Sequence, residues 1–129
     1  MTTNRNSTRF YSKKQEDYVS KLLGGKTVVN SGASRFVAGD CLISDISMII
    51  ECKTSMTPKK SFSVKSDWIS TNEYEKISQQ LQYSALAISF TPEADTNYFI
   101  IGEKEMKKFV ELLREENKNE EDWNTYWKC

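Results

Sequence analysis

Residues 37–55, VAGDCLISDISMIIECKTS, decide the fold because they contain two short apolar segments on either side of a polar pair. The segments DCLI and ISMIIECK have the composition of strands, and Ser44-Asp45 between them predicts a two-residue hairpin turn. The middle of the chain is therefore expected to form two antiparallel strands. Glu51 and Lys53 interrupt the second segment, and the sequence contains no histidine that could share a catalytic role with them.

The pleat of a strand predicts which of these side chains meet. Glu51 and Lys53 share a face with Ile49, because successive side chains point to opposite sides of a sheet. A two-residue loop would place Asp40 on that face, whereas a three-residue loop would turn it away. Two adjacent carboxylates repel unless a cation lies between them, and carboxylate oxygens are ligands that Mg²⁺ accepts. Without Asp40, the simpler interpretation is a strand-edge ion pair.

The first quarter of the chain is expected to contain one helix and one strand. The segment YSKKQEDYVSKLLGG has a capping box at Ser12 and Gln15 and a pair of glycines at its end. Its apolar stripe comprises Tyr18, Val19, Leu22 and Leu23. KTVVN follows as a strand, and SGASRFVAG reads as a loop.

The second half of the chain alternates between helices and strands. A helix is expected over about 66–83, strands over SALAISF and YFIIG, and a last helix over EKEMKKFVELLREEN. The helix over 66–83 is expected to point four residues inward: Trp68, Ile69, Ile77 and Leu81. The last helix should pack its apolar face on a sheet through Met106, Phe109, Val110 and Leu113. The order α-β-β-β-α-β-β-α predicts an α/β domain with a mixed sheet of about five strands.

Composition limits the possible functions. The 129 residues suffice for about one domain, with a basic arm at 1–11, a core at 12–116 and an acidic, aromatic tail at 117–129. The absence of a long apolar run and of a signal-peptide pattern predicts an intracellular protein. Without histidine, histidine-based nucleophile pairs and zinc centres are excluded, so any metal must be a hard cation held by oxygen.

The Gly39-Asp40 pair followed by IIECK at 49–53, within this order of elements, resembles the PD-(D/E)XK nuclease superfamily. The likeness is greatest to its small archaeal-type Holliday junction resolvases and related phage endonucleases, and it covers roughly residues 12–113. It implies a restriction-endonuclease-like core, Mg²⁺ (or Mn²⁺) dependence, a homodimer and a four-way DNA junction as substrate. A phage-encoded protein acting in a bacterial cytoplasm is compatible with it. The chain has AGD where the superfamily's name has proline before aspartate.

The resemblance also assigns roles to residues. Asp40, Glu51 and the Cys52 carbonyl would hold the metal, with Glu16 completing or adjusting the site, and Lys53 would act on the attacking water. Ser31 and Arg35 match a loop that meets phosphate, and either Gln79 or Gln80 could face the site from the second helix. Asp45 is a rival acid for Asp40, although a turn residue is its simpler assignment.

Basic residues favour a polyanionic partner. Residues 1–65 contain 11 Lys and Arg against 5 Asp and Glu, whereas residues 66–129 contain 7 against 13. Lys13, Lys14, Lys59 and Lys60 are candidate contacts to the DNA backbone. The alternative is that these charges serve solubility. Another nuclease on the same core, such as a nickase or a nonspecific phage DNase, and a catalytically silent nucleic-acid-binding module are the rival functions.

Overall fold

A computed structural model of the chain describes residues 8–28 and 41–119. The elements are α1 (Thr8–Leu23), β1 (Lys26–Thr27), β2 (Cys41–Ile43), a 3₁₀ turn (Ser44–Ile46), β3 (Met48–Thr54), α2 (Ser66–Ser78), β4 (Tyr83–Ser89), β5 (Tyr98–Ile101) and α3 (Glu103–Asn119). They confirm the expected α/β class and the expected order of helices and strands.

The strands form one mixed sheet in the order β1-β2-β3-β4-β5. β2 pairs with β3 antiparallel, as the hairpin requires, and β4 pairs with β3 in parallel after the crossover through α2. β4 lies between β3 and β5 and is buried from Ser84 to its end. The carboxyl ends of β3 and β4 therefore lie at the same edge of the sheet.

The connection between β2 and β3 is longer than the expected two-residue turn. Ile43 pairs with Met48, so four residues lie between the strands, and Ser47 adopts a left-handed conformation with φ of 59°. The sequence offers no glycine for a two-residue turn of the favoured type, and the 3₁₀ turn supplies the reversal instead. Because four, like two, is an even number of loop residues, the side chains of the two strands keep the faces that the expected hairpin would give them. Asp45 lies in this turn, which confirms its simpler assignment.

The main apolar core lies between α1 and one face of the sheet. It contains Val19 of α1 and, from the sheet, Cys41, Ile43, Ile50, Ala85 and Ala87. Ile50 and Cys41 face each other across the hairpin register. The opposite face of the sheet carries Ile49, Glu51 and Lys53 and is covered by α2, as shown by contacts of Trp68 with Lys53 and of Glu73 with Ser84.

α1 begins earlier than expected. It starts at Thr8, so Ser12 lies inside the helix, and the predicted capping box is wrong. Gln15 is fully buried and donates from Nε2 to the carbonyl oxygens of Lys53 (2.9 Å) and Ala87 (3.1 Å). Of the four residues in the predicted stripe only Val19 is buried, while Gly24, with φ of 71°, ends the helix as expected.

α2 ends at Ser78, five residues before the expected position, and it buries different side chains. Ile77 is 69% exposed and Ile69 is also exposed, whereas Asn72 and Lys76 are buried. The expectation that both isoleucines point inward is wrong, because the sheet beneath α2 offers polar partners. Asn72 Nδ2 donates to the carbonyl oxygen of Ala85 at 3.0 Å.

α3 does not cover the sheet with its apolar stripe. Met106, Phe109 and Leu113 are exposed, and the buried residue of the first turns is Glu105, which accepts a hydrogen bond from the Ser84 amide at 3.2 Å. The expected packing of this stripe is therefore wrong among the described residues. The helix runs through the predicted boundary at 116/117, as α1 does at 11/12; residues 1–7 and 120–129 lie outside the described residues. No described helix has the length and apolar character needed to cross a membrane.

Glu73 ties α2 to β4. Lys76 Nζ lies 2.6 Å from its Oε2, and Ser84 Oγ lies 2.6 Å from its Oε1. Burial by itself raises the pKa of this carboxyl. The hydrogen bonds from Lys76 and Ser84, with the positive charges of Lys76 and Lys104, oppose it and leave the pKa below the ordinary value of 4.5.

This lowered pKa predicts a pH-dependent contribution to stability. A carboxyl whose pKa is lower in the folded state stabilises the fold above its unfolded pKa, and the stabilisation is lost as the pH falls through the folded value. Glu73→Gln should therefore lower the free energy of unfolding in urea at neutral pH, and the difference from wild type should shrink below pH 4.5. A difference that stays constant over this range would contradict the assignment.

Candidate metal and phosphodiester site

Glu51 and Lys53 form a close pair on the α2 face of β3. Lys53 Nζ lies 3.3 Å from Glu51 Oε1, and the side chains are 31% and 20% exposed respectively. Their neighbours across the parallel ladder are Leu86 beside Glu51 and Ile88 beside Lys53, both buried. Charged groups beside apolar, desolvated neighbours interact more strongly than they would in water. The 3.3 Å contact confirms the prediction that Glu51 and Lys53 share one face of the strand.

The second oxygen of Glu51 has no hydrogen-bond partner in the part of the chain that the structure describes. Glu51 Oε2 is buried, and within residues 8–28 and 41–119 no hydrogen-bond donor reaches it. A buried carboxylate oxygen without a donor or a cation is costly, so such atoms in native proteins call for an explanation. A divalent cation beside Glu51 would satisfy this oxygen.

The indole ring of Trp68 restricts Lys53. Lys53 Nζ lies 4.8 Å from the ring centroid, and Lys65 Nζ lies 5.9 Å from the same centroid. Attraction of an ammonium to an aromatic face limits the positions that the ammonium adopts. The helical pattern placed Trp68 inward on α2, but nothing in the sequence indicated that Lys53 would be its partner.

The remaining candidate ligands are placed differently. Asp40, Ser31 and Arg35 lie outside the described residues. Cys52 lies between Glu51 and Lys53 with its side chain on the α1 face, partly buried against the core. Glu16 is 5% exposed on α1, directly after Gln15, which bonds the Lys53 carbonyl. α1 thus passes beside Lys53, but on the face of the sheet opposite to the Glu51 side chain.

The two glutamines lie at the far end of α2. Gln79 caps the helix, and Gln80 follows with φ of 59°. They are followed by Gln82, whose amide bonds Ser47 beside the start of β3. Lys53, by contrast, lies near the end of β3 and contacts Trp68 in the first turn of the same helix. α2 therefore presents Trp68, rather than either glutamine, to Lys53.

The candidate DNA-binding lysines fall into two groups. Lys13 and Lys14 are exposed on α1, where Lys13 pairs with Asp17 at 3.5 Å. Lys59 and Lys60 are exposed on the loop that follows β3, a few residues beyond Lys53. The second group is therefore the nearer in sequence to the Glu51 and Lys53 pair.

Comparisons with known proteins found no relative: no protein-family model, curated protein or solved structure matches the chain. Within the described residues, no group of three or more Asp, Glu or Cys side chains is gathered closely enough to hold a metal ion. The described residues therefore place no three such side chains around Glu51. Asp40, directly before Cys41, is the acid that the sequence indicates.

Proposed function

We propose that this chain is a Mg²⁺-dependent DNA endonuclease whose site is formed by Glu51, Lys53 and Asp40. The observation that carries the proposal is the buried Oε2 of Glu51, which has no partner among the described residues; the side chain is 20% exposed, and Lys53 lies at its other oxygen. A carboxylate oxygen oriented in this way suits a hard divalent cation. The lysine supplies a positive charge beside it, which suits an anionic substrate such as a phosphodiester.

The hairpin register supports Asp40 as the second acid. Cys41 pairs with Ile50, and the next residue along β3 is Glu51, while the residue before Cys41 is Asp40. A ladder that continues by one pair would set these two acids opposite each other on one face. The cation would then have carboxylates from two strands, and Mn²⁺ could replace Mg²⁺ in such an oxygen site.

Each protein group has a distinct task in this proposal. A bound divalent cation supplies Lewis-acid polarisation of the phosphodiester and makes water a better nucleophile near neutral pH. Asp40 and Glu51 would hold that cation, with the Cys52 carbonyl as a backbone ligand. Lys53 orients the attacking water and offsets negative charge that develops on the phosphate. Gln15 steadies the end of β3 through the Lys53 carbonyl, and Trp68 confines the ammonium.

The resemblance to archaeal-type resolvases and phage endonucleases favours branched DNA as substrate. Gly39-Asp40 and IIECK supply the motif, and the confirmed order of helices and strands supplies its expected setting. A four-way junction presents two equivalent strands, so we propose a homodimer with one site for each cut.

The substrate proposal is tested by incubating the protein with Mg²⁺ and an end-labelled four-way junction, linear duplex or single strand of matched sequence. We expect symmetric cuts in the junction, faster than any cut in the linear duplex, and no cutting when the metal is chelated. Equal rates on junction and duplex would overturn the resolvase assignment and leave another nuclease of this type. Binding of DNA without cutting in either Mg²⁺ or Mn²⁺ would instead identify a catalytically silent module.

A further inference from the structure

A groove opens next to Lys53, beyond the carboxyl end of β3. Its volume is about 530 Å³, and its walls include Ser55, Thr57, Lys59, Ser61, Phe62 and Trp68. We call it the β3 groove. Ligands of open α/β sheets commonly bind outside the carboxyl ends of parallel strands, where this groove lies. Its size falls in the range of sites for small organic ligands.

The walls of the β3 groove are held in place by the sheet. The Ser55 amide donates to Ser89 O at 3.3 Å, and the Lys59 amide donates to Phe90 O at 3.0 Å. The Phe62 ring packs against Trp68 and Phe90, with centroids 6.1 and 6.0 Å apart. The groove is therefore formed before a ligand arrives, so binding does not need to order the loop.

Ser55 is a buried residue in the wall of the groove. Ser55 is 5% exposed and lines the groove, and its hydroxyl has no hydrogen-bond partner within the described residues. Burying a hydroxyl without a partner costs free energy. Because the oxygen is itself buried, contacts to a ligand are expected from the exposed groups of the wall rather than from Ser55.

The groove combines the two kinds of group that a nucleotide requires. Phe62 and Trp68 are half-buried aromatic rings, which can contact the flat face of any base. Lys59 and the hydroxyls of Thr57 and Ser61 are exposed at its rim and suit a phosphate. A base within a continuous duplex is stacked between its neighbours and cannot enter a concave groove.

We propose that the β3 groove binds one unpaired nucleotide of the DNA, next to the phosphodiester that Glu51 and Lys53 address. The inference rests on the proposed nuclease function and narrows its substrate to DNA with an unpaired nucleotide beside the cut. Flaps, bulges and branch points at which a base pair opens supply such a nucleotide, whereas an unbroken linear duplex does not. Discrimination then comes from access to the groove rather than from base sequence.

The test measures DNA binding separately from cleavage. The full-length Glu51→Gln protein is titrated against a labelled perfect duplex and against the same duplex with one unpaired nucleotide, and binding is followed by fluorescence anisotropy. Stacking of one base predicts an affinity roughly 5- to 150-fold higher for the DNA with the unpaired nucleotide. Equal affinity for the two DNAs would overturn the groove proposal, even if the wild-type protein cuts DNA. A preference for the unpaired nucleotide without any cutting by wild type would instead overturn the nuclease function alone.

A filling variant locates the effect in the groove. Ser61→Phe places a ring in the β3 groove from an exposed position, and Ser78→Phe adds the same ring at the exposed end of α2 as the matched control. We expect the first variant to lose the preference for the unpaired nucleotide while keeping wild-type affinity for perfect duplex, and the second to keep both. Retention of the preference in Ser61→Phe, or an equal loss of affinity for both DNAs, would contradict the assignment.

Discussion

Glu51→Gln is expected to lower the rate of Mg²⁺-dependent DNA cleavage by roughly 10²- to 10⁴-fold. The substitution keeps the size of the side chain but removes the negative charge from the buried oxygen that has no donor among the described residues. Electrostatic stabilisation by a bound cation is worth several kcal/mol in the transition state, and about 1.4 kcal/mol corresponds to a tenfold change in rate. Single-turnover cleavage of labelled DNA measures this loss.

Asp45→Asn is the matched control for that substitution. It makes the same change of charge at the other acid of the hairpin, which lies in the exposed 3₁₀ turn before β3. Its cleavage rate should equal that of wild type. A large loss in Asp45→Asn together with a small one in Glu51→Gln would transfer the acid role to the turn and refute the proposed site.

Lys53→Met should have the second largest effect, a reduction in cleavage rate of roughly 10²- to 10³-fold. Methionine retains the apolar stem that packs beside Trp68 but removes the ammonium 3.3 Å from Glu51. Because a single charge near the substrate contributes little to overall affinity when other lysines remain, DNA binding should change far less than the rate. Rate and affinity are measured on the same DNA, by single-turnover kinetics and by anisotropy.

Lys21→Met provides the comparison for Lys53→Met. Lys21 is exposed near the end of α1, so its loss removes one positive charge from the protein without touching β3. A Lys53→Met protein that cuts DNA as fast as Lys21→Met would show that the lysine has no part in the reaction. Loss of rate and affinity by the same factor would reduce its role to general attraction of DNA.

The apolar pattern predicted the sheet better than it predicted the helices. β4 and the β2-β3 hairpin appear where expected because their side chains alternate or are continuously apolar, and the pairing follows from connection length. The predictions of inward helical residues were wrong where a helix faces strand carbonyl oxygens, because these oxygens accept hydrogen bonds from polar side chains. Gln15 and Asn72 are buried because their amides satisfy strand carbonyl oxygens, which no hydrophobic pattern can indicate.

The candidate site was predictable to the extent that it follows from alternation along one strand. Glu51 and Lys53 share a face because they are two residues apart, and their contact follows from that spacing. The contact of Lys53 with Trp68 depends on where α2 crosses the sheet. The burial of the Ser55 hydroxyl, which has no partner among the described residues, depends on how the following loop returns. Neither is a local property of the sequence.

Binding of Mn²⁺ measures most directly whether Glu51 and Asp40 hold a metal ion. Titration of the full-length protein with Mn²⁺, followed by the loss of the free-ion electron paramagnetic resonance signal, gives the affinity in the absence of DNA. We expect saturable binding by wild type that weakens at least about tenfold in both Glu51→Gln and Asp40→Asn, while Asp45→Asn binds as wild type. Wild-type affinity in the first two variants would contradict a metal site formed by these acids.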